Sequence, residues 1–183
     1  MKKISQLLFM ALMVVFSACS DDDDNNNPAQ NNILNIGDNE YELKAGSIED
    51  YGLYSNNLYN FDIVLATSNV TIVDGEIIPQ DQILSGIYFE LFTNAENDLS
   101  TGTYNLVDFQ NIANQTFEIC DIYENVDVTL EEENGSLSEL VSGTFSVLSN
   151  GPEYEFEFSG VDNLGQNITG YYKGNLVYLD VNE

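Results

Sequence analysis

Tyr154-Glu155-Phe156-Glu157-Phe158 alternates ring and carboxylate without a break, placing three aromatic side chains on one face of an extended segment and two acids on the other. Asp162-Asn163-Leu164-Gly165 follows with turn-forming residues, and residues 168–173 resume the extended pattern, so the stretch predicts an antiparallel hairpin. Residues 57–67 form a second strand pattern, with Tyr59, Phe61, Ile63 and Leu65 on one face and Asn60 and Asp62 on the other. Residues 87–92 are apolar on nearly every position, as in a central strand or one covered by a second layer. Shorter runs at 33–36, 40–44, 103–107, 116–122, 126–130, 141–148 and 175–181 raise the expectation to about eight to ten strands.

No stretch keeps an apolar period near 3.6 over the ~10 residues a helix needs, and residues 47–54 offer at most a short helical turn. The pattern therefore predicts an all-β domain, either a single antiparallel meander β-barrel or, as the alternative, a two-sheet β-sandwich. Short links between successive strands favour the barrel. So does a repeated glycine just before an aromatic, in Gly102-Thr103-Tyr104, Gly143-Thr144-Phe145 and Gly170-Tyr171-Tyr172, since glycine permits the bends a barrel corner needs. The segment from Ser142 through Lys173 resembles the C-terminal hairpins of lipocalin-like or calycin-like lipoproteins of the Bacteroidota, a likeness of strand packing that carries over no functional residue.

The first residues follow a different rule. Lys2 and Lys3 precede an uninterrupted apolar run from Leu7 to Phe16, too short to span a bilayer, and small residues follow. Phe16-Ser17-Ala18-Cys19 resembles the lipobox of bacterial lipoproteins, although Phe16 stands where leucine is usual. The resemblance implies cleavage after residue 18, acylation of Cys19 and membrane attachment through that lipid. The alternative is an ordinary signal peptide followed by a chance cysteine. Residues 19–32 then form a polar tether with too little apolar area to offset the entropy of ordering, and residues 33–183 the β domain. The acidic block Asp21 to Asp24 resembles the surface-export signal of Bacteroidota lipoproteins, which implies an outer-membrane, outward-facing protein; a periplasm-facing one stays open.

Composition narrows the chemistry. Thirty-one acidic residues against four basic ones give a formal net charge of −27, which repels nucleic acid and bare phosphate surfaces. Histidine is absent, so serine or cysteine triads lack their usual base and Cys/His zinc sites lack ligands. No phosphate-cradling glycine motif occurs either. Cys120 is expected to be a small apolar strand residue.

Carboxylate chemistry remains: Glu155 and Glu157 share a strand face, while Asp162, Asn163 and the cluster Glu131-Glu132-Glu133-Asn134 offer oxygens for Ca²⁺, without an EF-hand pattern. No cofactor is otherwise implied. Tyr59, Phe61, Phe89, Tyr154, Phe156 and Phe158 are the inward rings that line a ligand cavity if the interior is hollow, or form the core if it is filled. The sequence thus suggests a non-enzymatic binding or interaction module of the cell envelope, its partner a protein, a glycan or a small apolar ligand. A structural or adhesive surface component and a carboxylate-based glycan hydrolase are the alternatives.

Overall fold

A computed structural model of the chain describes residues 31–130 and 135–181. The expected leader, Cys19 and the cluster from Glu131 to Asn134 lie outside them. The described residues form thirteen strands: β1 (Ile33–Ile36), β2 (Asn39–Glu42), β3 (Ala45–Ser55), β4 (Leu58–Ala66), β5 (Val70–Val73), β6 (Glu76–Pro79), β7 (Ile83–Thr93), β8 (Gly102–Leu106), β9 (Thr116–Asp127), β10 (Ser136–Ser149), β11 (Tyr154–Asp162), β12 (Asn167–Gly174) and β13 (Leu176–Asp180). The only helical element among them is one short 3-10 turn at Phe109–Asn111.

Eleven strands make one curled sheet, a half-barrel, in the order β13-β3-β4-β7-β9-β8-β10-β11-β12-β1-β2, and β5 and β6 form a separate hairpin. The all-β class is as expected. Three finer expectations are corrected. Thirteen strands replace eight to ten, an open half-barrel replaces the closed barrel, and the pairing is not a purely antiparallel meander, because β13 lies parallel to β3 and β8 parallel to β9.

Chain connectivity explains the mixture. Only Leu43 and Lys44 separate β2, at one edge of the sheet, from β3, next to the opposite edge; Leu43 N donates to Asn32 O and Lys44 N to Ala66 O. Two residues bridge only a short gap, so the sheet has to curl until the end of β2 lies near the start of β3. Asn175 alone joins β12 to β13, which leaves its neighbour β1 and runs beside β3. Asn32, assigned by sequence to the tether, is already docked, giving its side-chain NH to Lys173 O and accepting from Lys173 N.

The strand at 45–55 replaces the expected helical turn because register shifts at Asp50/Gly52 and Leu53/Ser55 break its alternation and hide the period of two. It returns into β4 through Asn56 and Asn57, both at positive φ, as in a tight hairpin turn. Asp74 and Gly75 do the same for β5 and β6.

Inside the curl, Phe61, Phe89, Phe145 and Phe156 are fully buried and joined by Leu34, Ile63, Leu65, Ile87 and Tyr104 in one core. Phe89 meets Phe145 at 4.6 Å and Phe158 at 5.3 Å between ring centroids, and Phe145 meets Phe156 at 5.0 Å. Small residues make room for these rings. Gly170 faces Phe158 across β11–β12, and a Cβ there would stand 2.1 Å from the Phe158 Cζ.

Candidate functional site: a carboxylate row on the outer sheet face

The alternation that turns Phe61, Ile63 and Leu65 inward turns Asn60, Asp62 and Val64 outward on β4. Register then decides who stands beside them. Glu49 of β3 lies directly opposite Asp62, and Asp62 directly opposite Glu90 of β7, so three carboxylates cross three adjacent strands in one row. Like charges directly opposite on neighbouring strands repel. Neither lysine of the described residues reaches the row: Lys44 pairs with Asp81 at 3.6 Å, and Lys173 with Glu153 at 3.7 Å and Glu155 at 3.1 Å.

Asp62 sits at the centre and is only 8% exposed. Tyr88 Oη donates to its Oδ2 at 2.6 Å, and Asn60 Nδ2 lies 3.5 Å from Oδ1. Burial pushes the Asp62 carboxyl up to about 7; the Tyr88 hydrogen bond opposes the shift, and the nearby Glu90 and Glu49 reinforce it. Burial also raises Glu90, with Glu118 adding to the effect, and raises the Tyr51 hydroxyl to about 12 beside Glu49 and Asp62. The raised carboxyls lower the cost of a row of acids that no lysine of the described residues neutralises.

A pH prediction follows for Asp62, which faces Glu49 and Tyr51 on β3, Asn60 on its own strand, and Tyr88 and Glu90 on β7. Its folded value lies above the unfolded 3.8, so its contribution to stability is complete below about pH 4 and is lost as pH rises through about 7. Thermal melts should show a midpoint that falls between about pH 5 and pH 8, and Asp62→Asn should flatten that slope. An equal slope in both proteins would remove the carboxylate from the account.

The sequence-named residues fall elsewhere. Phe61, Phe89, Phe156 and Phe158 are buried in the core, and Tyr59 and Tyr154 pack partly buried against it. Phe158 also borders a shallow outer pocket of about 220 Å³ with Thr144, Glu157 and Gly170. Asp162 is buried in its own turn and accepts from Leu164 N, Gln166 N and Gln166 Nε2. Asn163 bonds Glu139 through its backbone N–H at 2.9 Å.

Glu155 accepts from Tyr171 and Lys173, which together hold it below the usual range, while Glu157 stays exposed on the strand. Cys120 is buried, and burial followed by the Asp121 charge pushes its thiol well up. Reading residues alone places Asp62 on an outer face; it does not single out Glu49 and Glu90, because only register brings the three together. No family model, curated protein or solved structure matches the chain.

Proposed function

We propose that the chain is a lipid-anchored protein of the bacterial cell envelope, held at the outer membrane through Cys19 and facing outward, whose β domain serves as a non-enzymatic interaction module. The observation that carries this reading is Phe16-Ser17-Ala18-Cys19 directly after the apolar run, with the acidic tether behind it. Two or three acyl chains, at about 0.8 kcal/mol per buried CH₂, anchor stably where one would not. The domain suits the role: its interior is packed with its own rings, which leaves the outer face and the loops for partners. We extend the proposal to the family, a lipocalin-like or calycin-like domain of the Bacteroidota type, with the short link from β2 to β3 joining the two ends of the curl in place of a continuous ladder.

Membrane fractionation of cells producing the Cys19→Ser variant tests the anchor. The wild-type protein is expected in the outer-membrane fraction and the variant in the soluble envelope fraction. A variant that sediments with membranes as the wild type does would overturn the assignment.

One observation favours a second reading, a glycan hydrolase working by carboxylates: Asp62, whose carboxyl burial pushes up to about 7, stands directly opposite Glu90 in the β4–β7 register, two acids side by side with one raised as a general acid needs. Release of reducing sugar from polysaccharide that disappears in Asp62→Asn would favour it. Absence of turnover would leave the interaction module standing.

A further inference from the structure

The carboxylate row ends at a groove. The β5–β6 hairpin stands over the same outer face, its base fixed where Ser68 Oγ accepts from Gln80 N and Asp81 N. Beneath it lies an unfilled space of about 170 Å³ with Val64, Ala66, Ile77, Pro79 and Leu84 in its lining, and Glu49, the first carboxylate of the row, borders it too. A dry cavity of roughly 150 Å³ accepts a benzene-sized group. The groove is thus sized for one apolar side chain.

From Glu49 the row runs across two inter-strand steps, roughly 10 Å, to Glu90. A single ammonium cannot face all three acids at that span. The occupant best suited to both features has an apolar anchor and more than one cation. A second copy of this chain does not offer one, because beyond Lys2 and Lys3 its only basic residues are Lys44 and Lys173, isolated in sequence and already ion-paired.

We propose that the groove under the β5–β6 hairpin and the adjoining Glu49–Asp62–Glu90 row form a docking site for a basic peptide segment of a partner protein, one apolar residue entering the groove while flanking lysines or arginines lie over the partly exposed Glu49 and Glu90. This deepens the interaction-module reading and rests on it for its biological setting, but not on the anchor: binding is measured on purified protein, so failure here leaves lipidation at Cys19 untouched, and the reverse.

The test is fluorescence anisotropy at low ionic strength with the full chain and a dye-labelled peptide Lys-Lys-Leu-Lys-Lys-Gly, against the same peptide with glycine in place of leucine. Saturable binding is expected, with about tenfold loss for the glycine peptide and about tenfold loss for the Glu49→Gln/Glu90→Gln double variant. The Glu40→Gln/Glu42→Gln double variant, equal in charge change but on β2, should bind within about twofold of wild type. Unchanged thermal midpoints or higher ones establish that the variants fold. Equal loss in both double variants, equal binding of both peptides, or no binding at all would each overturn the site.

Discussion

Gly160→Ala should lower the thermal midpoint of the domain by roughly 5–10 °C, corresponding to about 2–3 kcal/mol of overpacking. Gly160 on β11 stands directly opposite Gly143 on β10, next to the register shift between Leu140 and Ser142. A Cβ at Gly160 would lie 2.3 Å from the Ser142 carbonyl oxygen, 2.8 Å from Leu140 Cδ2 and 3.1 Å from Gly143 Cα. Two of these three are backbone atoms, so no rotamer change relieves the clash and the strands themselves must part. Parting them disturbs the ladder that carries Phe145 opposite Phe158 and Val147 opposite Phe156. Thermal denaturation followed by circular dichroism checks the result, and a midpoint within a degree of wild type would show that this approach of strands is not required.

Asp162→Ala is expected to cost about 3 kcal/mol, because a nearly buried carboxylate takes four hydrogen bonds that water cannot replace. Asp162 is 1% exposed; its Oδ1 accepts from Gln166 N at 2.7 Å and Leu164 N at 3.1 Å, and its Oδ2 from Gln166 Nε2 at 3.1 Å. Burial works against the charged form, but these bonds, with one from Ser138, outweigh it and hold the carboxyl below its ordinary range. The depressed value makes the contribution full above the unfolded pKa and lost as pH falls through the folded one, opposite in sign to that of Asp62. Asp162→Asn keeps the Oδ1 acceptor and turns an NH₂ toward Gln166, so it should lose less than half as much stability as alanine. Urea melts of the two variants near neutral pH distinguish them, and equal losses would mean that the turn depends on the charge alone.

How far the fold could be read beforehand varied with the locality of the signal. The β11–β12 hairpin was legible because its alternation is strict and its turn lies within five residues, and Phe158 to Gly170 pair as that pattern requires. Tyr59 to Leu65 and the apolar run at 87–92 were legible for the same reason. The strand at 45–55 was not, since Asp50 occupies an inward position and two bulges shift its phase. The β5–β6 hairpin carried an Asp-Gly turn signal at Asp74-Gly75, but its strands are only four residues long.

Pairings between distant segments, β1 with β12 and β13 with β3, leave no local trace, so an open curl with parallel contacts could not be told from a closed meander. The candidate site shares that difficulty. Glu49, Asp62 and Glu90 are separately ordinary polar positions, and a one-residue slip in either ladder would scatter them.

Intact mass and N-terminal analysis of the protein extracted from membranes tests the central claim most directly. The account predicts a polypeptide that begins at Cys19, heavier than residues 19–183 alone by a thioether-linked diacylglycerol. A chain that retains residues 1–18, or one that begins near residue 19 with an unmodified thiol, would contradict it.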